Sequence, residues 1–349
     1  MKIILTVLIS SFLGAIFEKY NFCMTSIFSD FLAFGDTKKI KGLLITLLIS
    51  TILFNLLIGL GVIKNSPLRL LPTTIFAGMA FGIGMIFAGG CVAGTLFKLS
   101  RGYIALLIAF IGIILGFGAL GIATSTLAGK ELTINHAMNI VLITGADHTL
   151  FAFFAIAIGI ISFYVYKKRR TKRKNEQEWR PAFISNKLRI NWSDFMAGAA
   201  LIAILNAIFF VILDRPLSLT GFMGYIAASF ANLINPLWVQ KNTMFDQVLK
   251  NAGIVVQVFP FIIGAFLSSY IGGRFGIRLP SLRQAVFSLT GGFLMGLSAP
   301  LMMGCNVTHI LGGLPQLEVT SIIAAIAIIL GFWLGTKIIR FFTMIWKEE

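Results

Sequence analysis

Charged residues are scarce in this chain of 349 residues, and histidine and cysteine are scarcer still, at three each. Only 12% of the residues are charged while 57% are hydrophobic, and the mean hydropathy is +0.91. So little polar surface cannot coat a water-soluble globule, which excludes a soluble fold. The composition predicts an all-α polytopic integral membrane protein.

Several motifs of enzymes and metal sites are also missing. The chain has no phosphate-binding loop ending in Gly-Lys-Ser/Thr, so nothing indicates that it is powered by ATP. It has neither a Gly-x-Ser-x-Gly elbow nor a His-Glu-x-x-His pair. Three cysteines without a close CxxC pair argue against a disulfide framework and against a four-ligand zinc site. We therefore expect neither an enzyme nor a cofactor or metal site.

Apolar runs long enough to cross a bilayer are abundant. A helix that spans the hydrocarbon core needs about 20 residues, at a rise of about 1.5 Å per residue. The run at 219–238 is a weaker tenth candidate beside nine clear ones. The nine predicted spans are 1–17, 42–63, 70–97, 103–127, 144–166, 194–213, 253–271, 284–304 and 319–342.

The basic residues carry topological information. Lys and Arg are densest between Lys167 and Lys174, and such a loop stays in the cytoplasm. With nine spans, the N-terminus of this multi-pass inner (plasma) membrane protein is then outside and the C-terminus is cytoplasmic. The predicted regions are an N-terminal repeat with a connecting helix (1–166), a basic cytoplasmic linker (167–192) and a C-terminal repeat (193–349).

The net charge of +16 does not predict nucleic-acid binding. The basic residues fall at the ends of apolar spans rather than on one soluble face. The expected surroundings are the lipid bilayer, with no nucleic-acid partner.

Two glycine-rich segments inside apolar runs match each other, and each contains a cysteine. Glycine weakens a helix, and open backbone at membrane depth is tolerated only where protein or water satisfies it. Small residues also simply let helices pack closely. We favour short broken helices that meet at mid-membrane between two pseudo-symmetric, inverted repeats, with a substrate path between them. The matched pairs, each separated by 214 residues, are Gly78 and Gly292, Gly82 and Gly296, Gly90 and Gly304, and Cys91 and Cys305.

Polar side chains near these segments are further candidates for the path. His309 follows Cys305 by four residues, so it either makes an interhelical hydrogen bond or gives the path a pH-sensitive lining. Lys98 either attracts an anion or anchors its span at the membrane surface, and Arg101 is expected to be an anchor. Acidic residues are almost absent from the predicted spans, so movement down a gradient is a simpler mechanism than proton coupling.

Three cysteine motifs follow one another along the chain: Phe22-Cys23 with Asp30 a short distance on, Gly89-Gly90-Cys91 with Gly94 and Lys98, and Gly304-Cys305-Asn306 with His309, Gly313 and Pro315-Gln316-Leu317. These motifs resemble those of the YeeE/YedE family of sulfur transport membrane proteins, over about residues 10 to 335. The resemblance implies uptake of thiosulfate or a similar small sulfur-containing anion, which Cys23, Cys91 and Cys305 hand on by hydrogen bonding. It also implies Gly90 and Gly304 as turn glycines, Asn306 as a polar neighbour, and a small cytoplasmic sulfur-carrier protein as partner.

Other functions remain open from the sequence. A membrane sulfurtransferase or thiol redox relay would carry sulfur as a cysteine persulfide. A selenium-compound transporter of the same family would carry a related anion. The stretch Glu18-Lys19-Tyr20-Asn21-Phe22 stands where typical members have an arginine-rich segment before the first cysteine, so the exact anion is not fixed.

Overall fold

The computed structural model describes residues 2–63, 73–126, 192–213, 217–250 and 253–345. The predicted span 144–166 and residues 167–191 of the predicted linker lie outside these ranges. Within them the regular secondary structure is helical, and β-pairing is limited to an isolated bridge between Tyr103 and Arg278. The predicted all-α class is confirmed.

The described part of the first half contains six helices, long and short. The two short helices, α2 and α5, each start directly after a cysteine. The helices are α1 (Lys2–Lys19), α2 (Met24–Phe34), α3 (Lys38–Gly59), α4 (Thr74–Ala88), α5 (Val92–Leu99) and α6 (Ile104–Thr126).

The described part of the second half repeats this order, with two additional short helices. A capping box in which Ser281 and Gln284 exchange side-chain and backbone hydrogen bonds starts one long helix. The elements are α7 (Trp192–Leu213), α8 (Thr220–Ile234), α9 (Pro236–Lys241), α10 (Thr243–Lys250), α11 (Gly253–Ile271), α12 (Leu282–Leu301), a π-helix (Val307–Gly313) and α13 (Val319–Ile345).

Eight helical segments of the described chain are long and apolar enough to cross a membrane. They coincide with eight of the nine predicted spans, and α8, with 15 residues, is the short helix at the weaker tenth candidate. The outward faces of the eight segments are apolar too, as at Phe76 and Ile271, which are 78% and 82% exposed. Large exposed apolar surfaces need lipid rather than water around them, so the protein is a polytopic membrane protein.

Long helices of the two halves pack on each other in matching pairs. Helix α1 packs on α11 as α7 packs on α3, α4 packs on α13 as α12 packs on α6, and α4 packs on α12. The equivalent helices of the two halves are α1 and α7, α3 and α11, α4 and α12, and α6 and α13. Exchanging each helix for its equivalent gives the same set of contacts, as a two-fold relation requires. The inversion of the second half depends on the span 144–166, so the inverted repeat stays a prediction.

The matched glycines within the long helices allow these close contacts. A Cβ on Gly82 would lie 2.2 Å from the carbonyl oxygen of Ile328 on α13. A Cβ on Gly296 would lie 2.1 Å from the carbonyl oxygen of Ile113 on α6. At these positions the glycines therefore serve helix packing, whereas the glycines next to the cysteines lie at breaks.

Candidate functional site

Each of the three cysteines follows an interruption of the helical backbone. A residue with a positive φ turns the chain out of the preceding helix. The cysteine comes two residues later and leads into the next short helix. The residues with positive φ are Asn21 (51°), Gly89 (70°) and Met303 (61°), which precede Cys23, Cys91 and Cys305. The two broken helices predicted at Cys91 and Cys305 are therefore present, and Cys23 follows a further interruption that was not predicted.

Cys23 and Cys91 are brought together by two of these interruptions. Their sulfur atoms lie 3.6 Å apart, and both side chains are fully buried. The Cys91 sulfur also accepts a hydrogen bond from the backbone amide of Gly94, at 3.3 Å. A Cβ on Gly94 would lie 2.5 Å from the Cys23 sulfur, so the contact between the thiols requires glycine at this position.

Cys305 lies in the same large cluster of buried residues, with different neighbours. Its sulfur lies 3.7 Å from the hydroxyl oxygen of Thr308, which donates a hydrogen bond to Ser218 at 3.4 Å. The structure therefore pairs two of the three predicted path cysteines and places the third against hydroxyl groups.

The two turn glycines named by the sequence lie in crowded positions. A Cβ on Gly90 would lie 3.2 Å from the Leu106 side chain, and one on Gly304 would lie 2.8 Å from the Cβ of Thr308. Any larger residue at Gly304 would therefore displace the side chain that contacts Cys305.

The side-chain amide of Asn306 is buried and makes no hydrogen bond within the described chain. Neither its nitrogen nor its oxygen has a hydrogen-bond partner among the described residues, although the side chain is fully buried. Gln257 on α11 shares this property. Buried amides are normally paired, because an unmade hydrogen bond costs about 1–3 kcal/mol. The NH₂ group of Asn306 can donate to an anion oxygen next to Cys305.

His309 is buried and makes two hydrogen bonds. Its Nε2 lies 2.8 Å from the carbonyl oxygen of Met302, and its Nδ1 lies 3.1 Å from the hydroxyl of Ser321 on α13. The interhelical hydrogen bond considered from the sequence is thus present. Although Cys305 is only four residues away, its thiol has a different partner.

A cavity of about 640 Å³ lies beside the interruption that precedes Cys91. Its described lining includes Lys98, Arg101 and Arg283 and no carboxylate. Lys98 extends back to donate a hydrogen bond to the carbonyl oxygen of Gly89, at 3.2 Å. Basic side chains that line a concave surface attract anions.

Arg101 is not the exposed anchor that the sequence predicted. It is 4% exposed and donates a hydrogen bond to the carboxylate of Glu18, at 2.8 Å. Arg274 donates two more to the same carboxylate, at 2.9 and 2.7 Å. These bonds to Glu18 raise the pKa of Arg274 above its ordinary value. The anchor interpretation was wrong because a fully buried glutamate at the end of α1 needs cationic partners.

The roles of Glu18 and Gly94 were not predicted from the sequence. Glu18 lies at the edge of an apolar run, where a charged residue is ordinarily solvated. Its position three residues before the Asn21–Cys23 turn was the available signal. Gly94 was recognised as part of a motif, but the atom that it makes room for comes from a different helix.

Two named proteins are similar to this chain along nearly its full length, and a third is similar over a shorter segment. The thiosulfate transporter TsuA of Spirochaeta thermophila is 27% identical over 343 residues, which cover 93% of this chain and 96% of the relative. The protein of the same name from Escherichia coli is 24% identical, covering 94% and 92%. The probable transporter YedE of Escherichia coli is 30% identical over 91 residues, 26% of this chain and 22% of the relative.

A family model described as Sulphur transport matches residues 19–334. The match includes all three cysteines, both turn glycines and the residues around them. Because it extends over most of the sequence, the chain belongs to the Sulphur transport family of membrane proteins.

Proposed function

We propose that this protein transports thiosulfate, or a similar small sulfur-containing anion, across a membrane. Two relatives named as thiosulfate transporters match it over more than nine-tenths of its length. The observation that carries the proposal is that each path cysteine is buried at the start of a short helical segment.

The chemistry of these interruptions suits an anion. Backbone N–H groups at the start of a helix are not used within that helix, and the aligned peptide dipoles make this end positive. Thiols add weak hydrogen-bond donors with polarizable sulfur. Such donors stabilise a soft sulfur anion without holding it so tightly that it cannot leave.

The path that we propose includes Cys23, Cys91 and Cys305. The amide of Asn306 provides a donor beside Cys305, while Lys98 and the basic cavity attract the anion at the Cys91 end. Gly90 and Gly304 keep the turns narrow, and His309 supports the segment that bears Cys305.

We propose uptake toward the cytoplasm, with the N-terminus outside and the C-terminus inside an inner (plasma) membrane. Two basic loops, at 98–102 and 272–283, support this orientation because they contact each other. The backbone carbonyl of Arg101 accepts a hydrogen bond from the amide of Gly276, and the backbone amide of Arg278 donates to the carbonyl of Gly102. Basic loops that meet at one face favour the cytoplasmic side. A small cytoplasmic sulfur carrier would receive the anion there.

A sulfurtransferase is the second candidate, because the Cys23 and Cys91 sulfurs are close enough to exchange a sulfur atom. Transport is tested by uptake of radiolabelled thiosulfate into proteoliposomes, in competition with unlabelled sulfate and selenite. We expect uptake that unlabelled thiosulfate suppresses and sulfate does not. Absence of uptake, together with an added sulfur mass on one cysteine, would favour the transferase instead.

A further inference from the structure

Three buried side chains form a continuous hydrogen-bonded chain beside the Cys305 segment. The Ser321 hydroxyl lies 3.1 Å from Nδ1 of His309 and 2.7 Å from a carboxylate oxygen of Glu318. All three residues are at most 2% exposed. A Cβ on Gly313 would lie 1.9 Å from the Ser321 hydroxyl and 2.3 Å from the Glu318 carboxylate. The three hydrogen-bonded side chains are therefore tightly packed. Their contacts determine which of their atoms carry protons.

The contact with Met302 determines which nitrogen of His309 carries a hydrogen. Its carbonyl oxygen can only accept a hydrogen bond, and it lies 2.8 Å from Nε2 of His309. Nε2 therefore carries a hydrogen. In a neutral imidazole the other nitrogen, Nδ1, is then an acceptor.

The second proton belongs to the Ser321 hydroxyl, which has a single hydrogen for two neighbours. If His309 is neutral and Glu318 is ionised, both neighbours are acceptors, and one contact faces two lone pairs. One more proton completes the chain. It sits on Nδ1, which then donates to Ser321 while Ser321 donates to Glu318, or on Glu318, which donates to Ser321 while Ser321 donates to Nδ1.

We propose that His309, Ser321 and Glu318 form a proton-binding site, and that a proton taken from water on one side of the membrane accompanies the anion to the other. This inference rests on the proposed transport function and assigns its coupling ion. Movement down the anion gradient alone, which the scarcity of acidic residues favoured, is replaced by proton-coupled transport.

The site is connected to the path through the backbone on both sides of Cys305. His309 is hydrogen-bonded to the carbonyl of Met302 before the turn, and its own amide donates to the carbonyl of Cys305, at 3.0 Å. An added positive charge this close to Cys305 and Asn306 favours binding of an anion. By thermodynamic linkage, the anion must then favour binding of the proton.

The elements packed against the π-helix bring several polar groups toward this site. The π-helix packs on α13 and α3 and accepts a hydrogen bond from Asn206 of α7. From α3 the neighbouring group is the neutral amide of Asn55, and the lysines of that helix lie in its first turn, at the opposite end. Cys305 is the titratable neighbour on the same segment. Glu318 is thus the carboxylate that shares the proton with His309 through Ser321.

Proteoliposomes that contain a trapped pH indicator test the coupling, with labelled thiosulfate measured in the same vesicles. The membrane potential is held at zero with potassium and valinomycin. We expect thiosulfate uptake to acidify the lumen. With the outside one pH unit more acidic, the anion should accumulate about tenfold for each proton moved with it.

Variants of the chain should separate the two movements. Glu318→Gln should lose lumen acidification and accumulation but keep downhill uptake. Ser298→Ala is the matched control, since Ser298 is a buried serine that donates to a backbone carbonyl of its own helix. It should keep both movements. Wild-type uptake with neither acidification nor accumulation would overturn the proton site and leave anion transport standing.

A spectroscopic measurement keeps the proton site testable if no uptake is seen, an outcome that would count against the transport proposal. The chain has three histidines, so His309→Gln identifies one of three ¹⁵N-histidine signals. At neutral pH we expect either a doubly protonated His309 ring or a protonated-carboxyl infrared band that Glu318→Gln removes. A neutral ring together with an ionised Glu318 would overturn the proposal.

Discussion

The sulfur atoms of Cys23 and Cys91 lie 3.6 Å apart, with the backbone of Gly94 against both. The two cysteines belong to different helix interruptions of the same half, so neither one alone forms the contact. Gly94 donates its amide hydrogen to the Cys91 sulfur and leaves room for the Cys23 sulfur. One glycine thus controls the geometry of two path residues.

Gly94→Ala should therefore reduce transport strongly. The added methyl group would lie 2.5 Å from the Cys23 sulfur, and such overpacking costs about 1–3 kcal/mol when neighbours must shift. The shift displaces a thiol of the path, and we expect thiosulfate uptake to fall by about tenfold, which corresponds to about 1.4 kcal/mol lost in anion binding. Initial rates in proteoliposomes measure it.

The control for this prediction is Gly118→Ala on α6. A Cβ there would have its nearest neighbour at 4.0 Å, so the change fits without strain. We expect uptake close to that of the wild type. Equal uptake in both variants would show that the Cys23–Cys91 contact is unimportant for transport.

Asn306→Leu should separate binding from stability. The Asn306 amide has no hydrogen-bond partner within the described chain, so replacing it with an apolar group of similar size loses no internal bond. We expect unfolding in detergent to be unchanged or shifted to higher temperature, while the KM for thiosulfate rises. A less stable protein with normal uptake would contradict the assignment of Asn306 to the path.

Glu18→Gln should destabilise the protein. The change leaves Arg101 buried and Arg274 partly buried without their shared carboxylate, and breaking a buried ion pair from one side costs about 3–5 kcal/mol. Unfolding can be followed by labelling the three buried cysteines with a thiol-reactive dye. We expect labelling at lower denaturant concentration than in the wild type.

Asp246→Asn provides the comparison for Glu18→Gln. Asp246 pairs with Lys250 one helical turn away, and the Lys250 side chain is 75% exposed. Exposed pairs of this kind contribute less than about 1 kcal/mol. If the two variants unfold alike, the Glu18 cluster does not hold the loops together as its geometry indicates.

Lys98→Gln should weaken uptake through the loss of positive charge at the cavity. Glutamine can still donate a hydrogen bond, so the main change is electrostatic. We expect a higher KM for thiosulfate and a weaker dependence of uptake on ionic strength, because salt screens the attraction that Lys98 provides. An unchanged salt dependence would argue that Lys98 serves the backbone of Gly89 rather than the anion.

The spans were predictable because long apolar runs are a local property of the sequence. The helix interruptions at Cys91 and Cys305 were also predictable, since glycine or proline marks both. At Cys23 the signal is weaker, because the turn residue there is Asn21 rather than glycine. The π-helical form of Val307–Gly313 carries no pattern that distinguishes it from an α-helix.

Contacts between distant segments could not be predicted in the same way. Glu18 meets Arg101 and Arg274 across 83 and 256 residues, and no periodicity links positions so far apart. The same holds for the Cys23–Cys91 contact, which depends on how two separate helix interruptions meet. The surroundings of His309 were predictable only in part. The spacing to Cys305 pointed to a polar segment, but Ser321 and Glu318 join it only through the fold.

Uptake of thiosulfate labelled on both sulfur atoms shows whether the intact anion passes along the three cysteines. Wild-type protein is compared with Cys23→Ala, Cys91→Ala and Cys305→Ala in proteoliposomes, with the ratio of the two labels measured inside. We expect both labels to enter in equal amounts in the wild type and each substitution to abolish uptake. Unequal labels inside, or one sulfur retained on the protein, would contradict passage of the intact anion along the cysteines.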